Sequence, residues 1–290
     1  MKTTYQCIPC AINQGINVVK SLNIDDDKIQ DMIREILKYL SELNYMETTP
    51  PEVAMIVYKI IYKYTDIEDP FKDNKDYYNQ KILNIEDDLA TYINNHHNFR
   101  ELLKFVISGN IIDFGAIHDL SEKEIFQTID NIEKNSLIID NSKEMEKDVE
   151  KAETVFYIGD NCGEIVFDKL FIKYLLNRYD IRKLYFGVRG GPIINDITIE
   201  DAKEVGLEEF AEILDTGTKA PGVLLGNLKK DYKNKLLNSD LVISKGQGNF
   251  ESLSGIKKDN LYFLFMAKCP VVASKLEVEE KSLICKKNQF

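Results

Sequence analysis

Glycine divides this chain in two, and that division limits what it can fold into. Residues 1–150 hold three glycines (Gly15, Gly109 and Gly115), and the other twelve of the 15 fall in the last 140 residues. Glycine serves tight turns and close backbone approaches and weakens helix interiors. A glycine-poor stretch with apolar residues every three or four positions therefore reads as packed helices. Ile29, Ile33, Ile36, Leu37 and Leu40 make one such stripe. Val53, Ile56, Val57, Ile60 and Ile61 make another, opened by the start signal Thr49-Pro50-Pro51. Further helices are expected over Asn79 to Asn94 and Phe99 to Ser108. The charge-dense Lys143 to Lys151 reads as the last helix of this array and its connection.

The second half alternates between strand and helix signals. Thr154 to Ile158 is β-branched and aromatic and ends at a Gly-Asp-Asn turn, so it reads as a buried strand. Lys183 to Val188, Ala211 to Leu214, Leu241 to Ser244 and Leu261 to Phe265 complete the strand set. Helices are expected between them, at Glu164 to Asn177, Glu200 to Val205 and Leu224 to Leu237. Such alternation implies right-handed crossovers and an α/β fold with a mostly parallel sheet covered on both faces. The expected division is a helical domain over 1–150 and an α/β domain over 151–290.

Composition narrows the partners. Lys and Arg number 37 against 48 Asp and Glu, a net charge of −11. This argues against nucleic acid or an anionic membrane as the main partner. No apolar run approaches the roughly 20 residues of a membrane span, and the first residues carry polar groups where a signal peptide needs an apolar core. Five cysteines, an odd and sparse count, fit reduced thiols in the cytosol. No feature specifies an oligomeric state.

In an open parallel sheet, ligands bind outside the carboxyl ends of the strands. Those ends here carry Gly159-Asp160-Asn161-Cys162-Gly163-Glu164, Arg189 to Asp196, Asp215-Thr216-Gly217-Thr218, Lys245-Gly246-Gln247-Gly248-Asn249 and Lys268-Cys269-Pro270. Asp160, Asn161 and Asp196 supply hard oxygen donors, as Mg²⁺ or Mn²⁺ requires. His96, His97 and His118 all lie in the helical half, which disfavours a three-histidine zinc site. Lys245 and the glycines after it read as a cradle for an anion. A cation site beside a lysine nest suits phosphoryl chemistry, with Asp160, Asp196 and Lys245 as catalytic residues. The sequence lacks GxxxxGK[ST], and Glu251 stands where the third glycine of GxGxxG would be. Cys162, two places after Asp160, is not the second aspartate of a phospho-aspartate pair.

The strings GDNCGE, GGPIINDIT, DTGTKAPG, KGQGNFESL and FLFMAKCP occur in that order over about 115 residues. They resemble the damage-control phosphatases, once catalogued as domain of unknown function 89. Ser108 to Gly115 matches a further motif of that family, and Cys7-Ile8-Pro9-Cys10 resembles the CxxC start of its mainly prokaryotic subfamily. The resemblance implies a helical N-terminal array on a Rossmann-like three-layer α/β/α domain. It also implies a phosphatase dependent on a divalent metal (Mg²⁺, Mn²⁺, Co²⁺ or Ni²⁺) and acting on small phosphorylated metabolites. Carried over by position, Asp160, Asn161 and Asp196 bind the metal. Glu164, Lys245, Gly246, Gln247, Gly248, Asn249 and Lys268 hold substrate and phosphate. Phe265 and Met266 stand where the family's eukaryotic sugar-phosphate branch has Arg and Thr, so no particular sugar phosphate follows. A eukaryotic member is also described as a carboxyl methyltransferase. That activity and a non-catalytic ligand-binding regulator are the alternatives.

Cys7 and Cys10 at CxxC spacing suit a metal clip, a redox pair or inert thiols. Cys269 joins them as a third thiol if the N-terminus folds over the second domain. Cys162 reads as a small filler. Asn110 and Asp113 belong to the site only if their loop faces it.

Overall fold

The structure is a computed structural model, and it describes every residue except 21, 23, 95–97, 110–120 and 290. His96, His97, His118, Asn110 and Asp113 therefore lie outside the described residues. The N-terminal half carries α1 (Cys7–Lys20), α2 (Asp26–Ser41), α3 (Pro50–Thr65), α4 (Lys72–Leu83), α5 (Glu86–Asn94), α6 (Phe99–Gly109) and α7 (Glu122–Glu133). The Thr49-Pro50-Pro51 signal starts α3 as expected. The Thr49 backbone N–H and hydroxyl donate to Glu52 Oε2 at 2.6 and 2.9 Å, one arm of a capping box.

The helix expected over 79–94 is two helices. The Asn84 N–H donates to the Gln80 carbonyl and ends α4, and α5 restarts at Glu86. Ile82, Ile85, Leu89 and Ile93 all face the same core, so the apolar spacing runs across the break and conceals it.

The rest of the chain is β1 (Leu137–Asp140), α8 (Ser142–Val149), β2 (Thr154–Ile158), α9 (Glu164–Arg178), β3 (Lys183–Val188), α10 (Ile199–Glu204), β4 (Glu212–Asp215), α11 (Lys230–Asn238), β5 (Leu241–Lys245), α12 (Gln247–Leu253), β6 (Leu261–Met266), α13 (Pro270–Leu276) and β7 (Leu283–Lys287). The seven strands form one sheet in the order β1-β7-β6-β5-β2-β3-β4. Strands β2 to β6 run parallel, while β7 lies antiparallel to β6 and parallel to β1. The fold is α/β with a mostly parallel sheet, as read from the sequence, and two further strands, β7 and then β1, enlarge it beyond β6. One of them, β1, comes from before residue 150.

Alternate residues of each central strand feed opposite cores. Val155 and Tyr157 face one side with α6 and α9; Phe156 and Ile158 face the other with α11 and α12. A sheet covered on both faces reads as a continuous apolar run, which is why β2 showed no polar alternation. A third core joins α1, α2 and α3, and the loop after β3 enters it through Ile193. The helix expected from Leu224 begins only at Lys230, because the Lys229 N–H is held by the Thr216 carbonyl.

Candidate active site

Chain order reverses across the sheet between β2 and β5: β3 and β4 lie to one side of β2, β5 and β6 to the other. Loops leaving two neighbouring strands in opposite directions open a crevice there. Asp160 and Asn161 leave β2 into it, Gly246 leaves β5, and the loop after β3 folds back to meet them. The Ile197 N–H donates to the Asp160 carbonyl at 3.0 Å, and the Cys162 N–H to the Asn195 carbonyl at 2.9 Å. Asn161 and Asp196 themselves pair as an isolated antiparallel bridge. This backbone lacing brings together the three residues expected to hold a metal.

Arg189, at the exit of β3 and 1% exposed, fastens the group from below. Its Nε donates to Asp196 Oδ1 at 2.5 Å, its Nη2 to Asp160 Oδ1 at 3.3 Å and its Nη1 to Asn249 Oδ1 at 3.0 Å. Gly246 has φ +79°, and a Cβ there would run into the Asp160 carboxylate. Glycine is what lets the β5 exit pass so close to Asp160.

Lys245 does not line the crevice. It is fully buried beneath it, with Nζ 2.6 Å from Glu164 Oε1, 2.6 Å from Asp168 Oδ1 and 3.0 Å from the Val106 carbonyl. The Tyr157 hydroxyl donates to the same Asp168 oxygen at 2.7 Å. Glu164 passes the connection upward: its Oε2 accepts from Asn161 Nδ2 at 3.1 Å, and that amide also donates to Asp160 Oδ2 at 2.8 Å. Asn249 is likewise buried, donating to the carbonyls of Lys245 and Gly159. Of the residues expected to hold substrate, Gln247, Gly248 and Lys268 line the pocket; Glu164, Lys245, Gly246 and Asn249 lie outside its lining.

The pocket measures about 360 Å³. Asp160, Asn161, Asp196 and Lys268 supply one side, and Pro50, Pro51, Val53 and Ala54 at the start of α3 supply an apolar wall. Gln247 joins two of its edges: its Oε1 accepts from the Lys268 N–H at 3.0 Å, and its Nε2 donates to Glu251 Oε1 at 2.9 Å. The expected Asp215 to Thr218 group is absent from the lining. It braces the β3 loop instead, through bonds from the Gly190 N–H to the Thr218 carbonyl and the Thr216 hydroxyl.

Burial raises the pKa of Asp160, Asp168, Asp196 and Glu251. Asp160 is pushed well above the carboxylate range by desolvation, then by Glu164 and Asp196. Asp196 and Asp168 each rise to about 6, because desolvation outweighs the cations Arg189 and Lys245 respectively. Glu251 rises to about 7 for the same reason. Four carboxylates, the half-buried Asp160 and the buried Glu164, Asp168 and Asp196, thus face two buried cations, Arg189 and Lys245. The surplus of negative charge and the Asp-Asn-Asp oxygen donors fit a divalent cation, which would cancel that surplus.

A second acidic group lies outside the pocket lining, where Asp76, Asp201 and Glu204 place ligand oxygens within 4.8 Å of one another. Each already has partners: Lys72 for Asp76, Lys75 and the Thr198 cap for Asp201, and Asn79 and Gln80 for Glu204.

Arg189 and Glu251 were not singled out by sequence reasoning. A lone arginine closing an apolar strand was the available signal for Arg189. Glu251 gave none beyond spoiling a glycine pattern.

The sequence matches the family described as the damage-control phosphatase ARMT1-like domain over residues 3–284. The chain belongs to that family. It is 33% identical to a damage-control phosphatase of Pyrococcus horikoshii, covering 100% of this chain and 99% of that one. It is 30% identical to a damage-control phosphatase of Archaeoglobus fulgidus over 99% of both chains. The crystal structure of a domain-of-unknown-function-89 protein from Pyrococcus horikoshii, 33% identical, superposes with a TM-score of 0.89 over 100% of both chains. Among the described residues of this damage-control phosphatase-family chain, no helix is long and apolar enough to cross a membrane.

Proposed function

We propose that this chain hydrolyses phosphate monoesters of small metabolites at the Asp160–Asn161–Asp196 site. The phosphatase class rests on family membership across the chain. The observation that carries the site is the pair of laced loops presenting Asp160, Asn161 and Asp196, with surplus negative charge, to a pocket that also receives Lys268. A divalent ion held by Asp160, Asn161 and Asp196 would supply Lewis-acid polarisation of the phosphoryl oxygens and would make water a better nucleophile. Lys268 contributes a cation toward the phosphoryl oxygens, and Gln247 positions it by accepting its backbone N–H. Arg189 holds both aspartates in place. Water oxygen bonds to phosphorus, the ester P–O bond breaks, and an alcohol and inorganic phosphate leave. The five cysteines are all free thiols, which fits a protein working in the reducing cytosol.

The test is a phosphate-release screen over metabolite phosphates with Mg²⁺, Mn²⁺, Co²⁺, Ni²⁺ or a chelator. Metal-dependent release that Asp160→Ala abolishes is expected. Release that is indifferent to chelation, or consumption of a methyl donor in place of phosphate release, would overturn the reading.

A further inference from the structure

The mouth of the pocket holds a group of side chains that phosphate hydrolysis does not use. Cys7 and Cys10 project from the first turn of α1, and Cys269 sits at the N-cap of α13, 259 residues after Cys10. All three line the same pocket as Asp160, together with Glu251. A CxxC pair at the start of a helix puts two thiols on one face, three residues apart. The third thiol arrives because α1 packs over the strand-end loops and so reaches the exit of β6.

We propose that Cys7, Cys10 and Cys269 form a second cation site, for a thiophilic ion of the Zn²⁺ class, with Glu251 as the fourth donor. The donor set is the argument. Three thiolates and one carboxylate match the sulfur-rich four-coordinate sites of zinc and its congeners, and they differ in kind from the hard oxygen donors of the Asp160 site. The electrostatics point the same way. Ionisation of Cys10 is opposed first by burial, then by Cys269, Glu251 and Cys7. Groups that hinder one another's negative charge are relieved together by a cation, which takes the thiolates and releases their protons to solvent.

Among the described residues, the only potential ligand triad with atoms already within 4.8 Å of one another is Asp76, Asp201 and Glu204. The thiols thus stand wider than a bound ion would hold them, since zinc–sulfur bonds are about 2.3 Å long. Side-chain rotation at the first turn of α1 would gather them. Once gathered, they would tie α1 to the start of α13 across the pocket mouth.

The experiment titrates the reduced full-length chain with Cd²⁺, following the ultraviolet thiolate-to-cadmium charge-transfer band. Expected is one tight equivalent showing the band, retained in Asp160→Asn. Cys10→Ser and Cys269→Ser should each weaken that equivalent about tenfold or more. As a check that does not depend on variants, bound Cd²⁺ should protect Cys7, Cys10 and Cys269 together from alkylation, read by mass spectrometry. A wild-type chain without the band, a band undiminished in Cys269→Ser, or protection of Cys7 and Cys10 but not Cys269 would each overturn the proposal. Failure of phosphate hydrolysis would leave this titration unaffected, so the two readings fail separately.

Discussion

At the scale of single residues, Lys245 is where sequence and structure diverge most usefully. Its string, Lys-Gly-Gln-Gly, reads as a phosphate cradle, and on that reading Lys245→Ala costs about 10²-fold in kcat with metal affinity unchanged. The folded chain instead gives the ammonium to Glu164 and Asp168 at 2.6 Å, with no exposure. Glu164 in turn holds Asn161. Partners of this kind, which orient a metal's ligands, typically change metal affinity or activity by 10–100-fold when lost. Lys245→Met is therefore expected to weaken Mn²⁺ binding by about that factor, measured by calorimetry in the absence of substrate. Unaltered Mn²⁺ affinity with a raised KM would restore the cradle. Asp196→Ala is expected to abolish phosphate release, since it removes one oxygen donor and leaves Arg189 without its 2.5 Å partner. Near-normal release at saturating metal would remove Asp196 from the site.

At the scale of elements, the crevice depends on how β5 hands over to α12. Gly246 at φ +79° and ψ 155° occupies a region that is essentially glycine-only and costs other residues about 1–3 kcal/mol, and its missing side chain leaves room for the Asp160 carboxylate. Gly246→Ala should lower stability by at least that amount in urea denaturation and reduce phosphate release together. Loss of activity with an unchanged denaturation midpoint would mean that the turn is not strained. Elements of this sort were largely legible. Buried strands β2, β3, β5 and β6 announced themselves as apolar runs, and their exits carried Asp160, Asp196 and Gln247 to one rim. The strands β1 and β7, beyond β6, did not, because each ends in charged residues (Leu-Ile-Ile-Asp and Leu-Ile-Cys-Lys-Lys) and makes no continuous apolar run. The helix break at Asn84 was hidden by apolar spacing that continues through it. Arg189 and the Lys245 pairing were out of reach for a different reason. Arg189 meets Asn249 60 positions away and Lys245 meets Asp168 77 away, and such contacts follow from packing and not from local pattern.

At the scale of the whole molecule, the site is a reservoir of buried charge among three cores, and that couples metal, pH and stability. Asp168 and Asp196 titrate near 6 in the folded chain, against about 3.9 in an unfolded one. Asp160 is raised well above its ordinary value too, first by desolvation. Between those values the folded state binds more protons than the unfolded one. The stability these groups contribute is therefore full below about pH 4 and is lost as pH rises through about 6. Asp140, Asp148 and Asp240 shift the other way, each lowered by hydrogen bonds from neighbours, so the absolute melting temperature mixes opposite slopes. The increment caused by a divalent ion isolates the site, because the ion binds the ionised carboxylates and competes with their protons. At 100 times its Kd a ligand adds about 2.7 kcal/mol, a few degrees for a chain of this size. Scanning calorimetry with and without Mn²⁺ should show that increment at pH 8 and little of it at pH 5. It should be absent at both in Asp160→Ala. An equal increment at the two pH values would place the ion away from Asp160 and Asp196, at groups that stay ionised through the window.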